Sequence, residues 1–437
     1  MTPGGRFEGG RFAHSSRSAP TRDPRLAYAV NGMPPEVVLD FQSGVYQGAS
    51  ASGFDNLLAF SRPSGGTYVN ASGVLAVAAV DEPRIDHRLQ NGQWVSQGMM
   101  LEGEARTNML LHSAEFSHAS WSKSRASVLA DDSIAPDGSV TASRLTSTAS
   151  TYDGAVRQSA SYTTGQNLSF SVFAKAGDRD FLFLRERSNG FAKDSYFDLR
   201  QGVPGTVNSI HTAEMQDMGN GWFRCSITVQ ATQSATTDFE IYNSEDNLNT
   251  ASNQPGYVWI WGAQLEVGAS VSSYIATQGT PVTRAPDVLA LRATHVVDPV
   301  TSGAVSLAVE GDGDFVTETG AVRLLNWTDA AGDRITCQVA TDAPGAGQVS
   351  LEQSVNGSLT SLTTSAGEVG PGLAVPFATA TRHTGAETGL LAAGSTGVTG
   401  LPDLGLNAVE LAPDLMGHLT RMRLWTADIG TAGMQEV

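Results

Sequence analysis

The stretch Gly256-Tyr-Val-Trp-Ile-Trp-Gly-Ala-Gln-Leu-Glu266 puts a large ring at every second position, with aliphatic residues between. That two-residue period belongs to a strand buried on at least one face, and it places Tyr257, Trp259 and Trp261 on one side of it. On a β-sandwich such rings either fill the core or stack on the apolar faces of sugars. A pyranose offers C–H groups to a π-face and its hydroxyls to neighbouring polar side chains. The strand alone leaves both readings open.

The same alternation recurs along residues 108–285, in Gln166-Asn-Leu-Ser-Phe-Ser-Val-Phe-Ala-Lys175, Phe181-Leu-Phe-Leu-Arg185, Trp222 to Val229 and Asp238-Phe-Glu-Ile-Tyr242. Roughly eight strands with no long amphipathic helix among them make this region an antiparallel sandwich. Tyr242, expected on a strand adjacent to the rings, is the next candidate for the same surface. A second β-rich block, 286–437, holds a clear hairpin at Ala321–Trp327 and Arg334–Val339, with Gly and Asp residues in the turn. In its final strand Leu419, Arg421, Arg423 and Trp425 share one parity, and Met422 and Leu424 the other. Residues 36–107 contain short strands but are too small and polar for an independent domain. They are expected to pack on a neighbour, within the chain or in another subunit, as an attachment or oligomerisation segment. Residues 1–35 read as a flexible basic arm. The fold class is therefore all-β: two antiparallel β-sandwich domains preceded by a small β segment and the arm.

Charge separates these parts. Residues 1–30 hold five arginines against Glu8 and Asp23, a net +3, so the rest carries −20 of the chain's −17. An acidic body repels nucleic acid, which excludes direct DNA binding, and it favours a neutral polysaccharide or contacts through local Arg and Lys or bound Ca²⁺. The arm lacks apolar periodicity and is expected to order against a partner. No apolar run spans a bilayer and no signal pattern opens the sequence, so a soluble chain without membrane insertion is expected. Cys225 and Cys337 are far apart in sequence and are read as small apolar residues without a disulfide.

Motifs for chemistry are weak. Glu102 and Glu104 could flank a glycosidic bond, but Arg106 follows at the same parity and points to an ion-paired scaffold. Asp312 and Asp314, flanked by glycines, read as a turn or part of a Ca²⁺ loop lacking the full acidic series. The histidines show no metal spacing, and no nucleophile elbow or phosphate loop occurs, so the chain is expected not to be an enzyme.

Phe60-Ser-Arg-Pro-Ser-Gly-Gly-Thr-Tyr-Val-Asn-Ala-Ser-Gly, Pro83-Arg-Ile-Asp-His87, Leu101-Glu-Gly-Glu-Ala-Arg-Thr-Asn108, Asn220-Gly-Trp-Phe-Arg-Cys225 and Trp261-Gly-Ala-Gln-Leu-Glu266, followed by Ser273-Tyr-Ile275 and Thr283-Arg284, occur in this order. As a set covering residues 36–285 they resemble a family of phage and prophage structural proteins, the tail-fibre and spike subunits with a carbohydrate-binding-module-like jelly roll. Head spikes of gene transfer agents are a more particular match in composition and length, beside tail fibres. Asn108 to Trp121 resembles the opening strand of polysaccharide-binding modules. Glu115-Phe116 reverses their Phe-Glu order, so no cofactor is assigned and a structural Ca²⁺ stays open. The last strands are similar to those of concanavalin-like lectin domains. The resemblance implies a non-catalytic adhesin on the surface of a phage-like particle that binds host cell-surface or capsular polysaccharide through Tyr242, Tyr257, Trp259 and Trp261. It also implies a homo-oligomer, a trimer by analogy with fibres and spikes, held to other particle proteins by the arm. The alternatives are a polysaccharide depolymerase and a purely structural connector.

Overall fold

The computed structural model describes residues 23–148, 153–247, 255–316, 320–342 and 344–437. It is built almost wholly of antiparallel strands, in two sandwiches joined by a short ladder between Arg106–Asn108 and Val282–Arg284.

The jelly roll comprises two six-stranded sheets. The front sheet runs in the order Ala126–Ser133, Ala142–Ser147, Gly256–Val267, Asn167–Ala176, Trp222–Gln230, Thr212–Asp217, and the back sheet includes Lys193–Asp198, Phe181–Glu186, Ala235–Ser244 and Ala155–Tyr162. Their inner faces meet over Phe170, Val172, Leu182, Leu184, Phe197, Phe239, Ile241, Val258 and Ile260. These are the alternate positions that the period-2 pattern assigns inward.

Gly256–Val267 changes phase midway. Its register against Asn167–Ala176 slips by one residue around Gly262, whose φ of +59° lies in the left-handed region where glycine carries no Cβ penalty. Val258 and Ile260 point inward before the bulge, and Ala263 and Leu265 after it. Gln264 and Glu266 are thereby turned to the outer face that carries the rings.

The second sandwich draws on both ends of the chain. In its nine-stranded sheet, Met416–Trp425 pairs with Val37–Asp40 along one half and with Met99–Glu102 along the other. Leu58–Ser61 forms an edge of the facing seven-stranded sheet, beside Val288–Leu291. The strands of 36–107 thus complete the sheets of 286–437 and share one core with them, Leu39, Leu58, Met99 and Leu101 packing with Leu307, Trp327, Leu411 and Met422. The expected division between residues 36–107 and 286–437 is not a division of packing, whereas the boundary at 286 does separate the two cores.

Two further expectations are corrected. Within the arm, residues 23–35 pack on this sandwich: Val30 is buried against Trp425, Ile429 and Met434, and Trp425 Nε1 donates to the Met33 carbonyl at 3.1 Å. The remaining arm residues, 1–22, lie outside the described residues. In the last strand, a one-residue slip opposite Glu310–Gly311 carries Leu419 to the core side with Met422 and Leu424. The expected hairpin forms as Ala321–Thr328 with Arg334–Ala340, its turn held by Asp329 Oδ1, which accepts from the amides of Ala331, Gly332 and Asp333.

A cluster of buried ions sits at the junction of the lobes. Arg84 reaches Glu102 at 2.6 Å and Asp287 at 2.5 Å, Arg62 reaches Asp287 at 3.1 Å, and Arg284 reaches Glu102 at 3.0 Å. Ser273 of the jelly roll donates to Glu102 through both its amide and its hydroxyl. Burial works against the Glu102 charge, but Arg284 and Arg84 hold its carboxyl below the usual range. Removing one member would strand a buried charge, which typically costs about 3–5 kcal/mol. Glu104 pairs with Arg106 at 2.7 Å, as the scaffold reading expects.

Candidate functional site

The outer face of the front sheet is partly roofed by the other lobe. Toward its open end Tyr257 and Trp259 remain half-buried. Their rings meet edge to face, 5.1 Å between centroids. Two cations flank them from the neighbouring strands: the Arg144 guanidinium lies 5.2 Å from the Tyr257 centroid and the Lys175 ammonium 6.0 Å from that of Trp259. Asp132 accepts from Trp259 Nε1 at 2.9 Å and pairs with Arg144 at 3.3 Å, fixing the indole's orientation.

Trp261, next on the same face, is buried. It packs on Phe173 and Tyr274 and donates from Nε1 to Thr141 Oγ1 at 3.0 Å. Beside it opens a cleft of about 580 Å³ between the hairpin Gly66–Val69/Leu75–Ala78 and the jelly roll. Trp261, Tyr274, Leu75 and Val77 supply its apolar walls, and Glu115, His118, Asp131, Asp137, Thr141 and Ser143 are among its polar lining. From Tyr257 to Trp261 the rings extend about 13 Å at ~3.3 Å per residue, the scale of a short stretch of sugar chain.

Tyr242 does not join this surface. Its strand lies in the back sheet, paired with Ala155–Tyr162 and Phe181–Glu186, so the ring sits on the opposite side of the jelly roll. There it is buried, stacks on Phe183 at 4.4 Å and donates to Glu240 at 2.7 Å. Burial raises its phenol to about 12, helped by Glu240. These are the contacts of a packing residue.

Tyr274 and the cleft's acidic rim were missed in the sequence, although Ser273-Tyr-Ile275 is one of the fragments that carry the resemblance. Other members of that set prove to be clamps. Asn108 donates to the carbonyls of Ala263 and Ile275 and accepts from the amides of Leu110 and Leu265. Glu266 accepts from the Ser272 amide and hydroxyl, and Gln264 from the Ile275 amide.

Three polar clusters lie elsewhere. Ser195 Oγ meets His211 Nδ1 at 2.8 Å, and His211 Nε2 meets Glu186 at 3.0 Å, a relay that sequence spacing does not reveal. Ser195 and Glu186 are 0% exposed, so no substrate carbon reaches the hydroxyl. Asp312 is no turn or Ca²⁺ loop: Ala304–Phe315 is one strand, and Asp312 and Asp86 hold His418 from either side at 3.0 and 3.2 Å. Asp314 lies in an interlobe groove whose two contiguous cavities, about 280 and about 490 Å³, share Glu214 and Leu373. Burial raises Glu214 to about 7, with Asp314 adding to the shift and Arg88 opposing it. Among the described residues, no group of three or more His, Cys, Asp or Glu side chains is placed to hold a metal ion. Cys225 and Cys337 are free and buried, and burial pushes the Cys337 thiol up to about 12.

No protein-family model matches the chain, and no curated protein matches it in sequence. Among solved structures, domains LG4-5 of the mouse laminin alpha1 chain align with 8% sequence identity over 65% of this chain and 88% of that one, at a TM-score of 0.22. A likeness that slight carries nothing about what this chain binds.

Proposed function

We propose that the chain is a non-catalytic adhesin that binds cell-surface or capsular polysaccharide, displayed as a head spike or tail fibre on a phage-derived particle. The observation that carries the binding half is the row Tyr257, Trp259, Trp261, half-open at one end and leading into the cleft beside Tyr274 at the other. Half-buried rings give C–H/π contact area without exposing the core. Arg144, Lys175, Asp132 and the cleft's hydroxyls stand where sugar hydroxyls would seek partners. The particle setting rests on the resemblance of residues 36–285 to phage and prophage spike and fibre subunits. Titrating the full chain with purified capsular polysaccharide tests the reading. Saturable binding that Trp259→Ala weakens supports it, and absence of binding to every host polysaccharide removes it.

One observation favours the depolymerase alternative: Glu214, raised to about 7, shares a groove with Asp314, whose carboxyl burial also raises. Carboxyls perturbed in this way recur where glycosidic bonds are cleaved. Release of reducing ends from capsule, lost in Glu214→Gln, would replace the adhesin reading with that one.

A further inference from the structure

The seven-stranded sheet of the second sandwich ends in Ser358-Leu-Thr-Ser-Leu-Thr363, a six-residue strand paired on one side only, with Val349–Val355. It has no charged residue, no proline and no break in register. An open edge invites pairing with another chain, and folded proteins ordinarily blunt it with charge, proline or a bulge. The three other edge strands of six residues or more among the described residues are blunted in this way. Ala126–Ser133 carries Asp131, Asp132 and a register slip, Thr212–Asp217 carries Glu214 and Asp217, and Ile85–Gln90 carries Asp86 and Arg88.

The turn before the strand fixes which of its backbone groups are free. Asn356 and Gly357 stand at φ of +48° and +78°, a two-residue turn that closes Val355 and Ser358 as a hydrogen-bonded pair. Bonded and unbonded pairs alternate along an antiparallel ladder, so Ser358, Thr360 and Leu362 bond toward Val349–Val355. Thr364 keeps this phase, its amide donating to the Val349 carbonyl at 2.9 Å. Leu359, Ser361 and Thr363 therefore turn their N–H and C=O groups to the open edge, where nothing among the described residues bonds them. All three are exposed, Leu359 at 53%.

We propose that this edge pairs with the same edge of a second copy, antiparallel about a two-fold axis through Ser361. Such an axis, perpendicular to the sheet, keeps each face continuous only if opposed residues share parity, and only the odd positions carry free groups. Of the registers that satisfy both conditions, the one centred on Ser361 engages all three free residues, with Ser361 opposite Ser361 and Leu359 opposite Thr363. That match of the strand to itself is what favours a second copy over a strand of another protein. The absence of charge matters too, because each copy carries −17 and pairing the longer edges of the jelly roll would bring carboxylate against carboxylate. The contact does not depend on the glycan-binding reading. Being isologous, it joins copies two by two: alone it gives a dimer, and added to a trimer it gives a hexamer.

Light scattering of the full chain and two variants tests the pairing. Ser361→Pro removes an outward N–H where an edge strand tolerates proline, and Ser361→Lys sets two ammonium groups against each other on the axis. Both variants are expected to melt close to the parent and to have about half its mass. Cys225 and Cys337 are buried, so Ser361→Cys adds a single accessible thiol. On the axis its Cα lies about 5.5 Å from its mate, within disulfide range, and mild oxidation is expected to give a covalent dimer. Thr363→Cys, opposite Leu359 rather than itself, should give none. A monomeric parent overturns the proposal, as does an unchanged mass in Ser361→Lys. Covalent dimer from neither cysteine variant, or equally from both, overturns it as well, and that readout decides should Ser361→Pro fail to fold.

Discussion

Trp259 and Trp261 lie two residues apart on one face of one strand, yet the first is half-buried on an open surface while the second is 5% exposed beneath Tyr274. Truncating each therefore has a different consequence. Trp261→Ala leaves a cavity between Phe173 and Tyr274 and is expected to cost about 3–5 kcal/mol of stability. Trp259→Ala is expected to melt close to the parent and to lose on the order of 1 kcal/mol of glycan affinity. Calorimetric melting and glycan titration of both variants check this, and collapse of Trp259→Ala would make it a packing residue.

Tyr242 supplies the internal control. Because it stacks on Phe183 in the other sheet, Tyr242→Ala is expected to lower stability by about 3–5 kcal/mol without a selective loss of glycan binding at the front face. A folded Tyr242→Ala protein that has lost binding would return Tyr242 to the site.

Alternation in Gly256–Glu266 and Asn167–Ala176 was enough to read the fold class, because the period of a half-buried strand is local information. Sheet partnership is not local. Nothing near Tyr242 says that its strand pairs with Ala155–Tyr162, and nothing near Val37 says that it lies against Leu424. Gly311 and Gly313 imitated a turn for another reason. A Cβ on Gly311 would come 2.2 Å from the His418 carbonyl oxygen, so glycine is required there by close packing within a strand, whereas one on Gly313 would meet the movable end of the Leu415 side chain at 2.5 Å. The acidic rim of the cleft was hidden because Glu115, Asp131 and Asp137 converge only after the bulge at Asp131 and the roofing hairpin are in place.

The Asp86–His418–Asp312 bridge makes stability depend on alkaline pH. Burial alone would lower the His418 imidazole, but its hydrogen bonds to Asp312 and Asp86 outweigh that and raise it to about 9 from 6.5. The folded chain therefore holds this proton more tightly than the unfolded chain. The contribution is fully present below about 6.5 and is lost as pH rises through about 9. The melting difference between the parent and His418→Gln is expected to be largest near about pH 6 and to shrink toward about pH 10. A pH-independent difference would show that the imidazolium contributes nothing.

Glu214 has the opposite sense. Its carboxyl is raised to about 7 by burial in the groove and by Asp314, so between about 4.5 and about 7 the folded chain keeps a proton that the unfolded chain has released. Stability at this site falls as pH rises across that window, and the full cost persists above it. Glu214→Gln is expected to match the parent at about pH 4 and to exceed it at about pH 8 in urea titrations. Greater stability of the parent at the higher pH would reverse the assignment.

Assembly is expected from the weakness of the proposed shallow sugar site, and where the chain's ends pack narrows which segment would anchor it. Linked copies raise avidity by about 10²–10⁴ without new contacts, so a symmetric oligomer is expected, a trimer by the resemblance to fibres and spikes. Residues 36–107 are committed to the C-terminal sheets, and Val30 and Met33 are committed to Trp425. On the proposed particle setting, the basic stretch before residue 23 is the segment expected to dock on another particle protein. Deleting residues 1–22 is expected to leave melting, oligomer mass and glycan affinity unchanged while abolishing incorporation into particles. Deleting residues 1–35 should in addition destabilise the chain, because it uncovers Trp425 and removes the carbonyl that its Nε1 bonds. Light scattering of all three proteins, with a particle pull-down, separates the claims. A monomeric full-length chain ends the oligomer proposal, and normal incorporation of the shorter deletion ends the docking proposal.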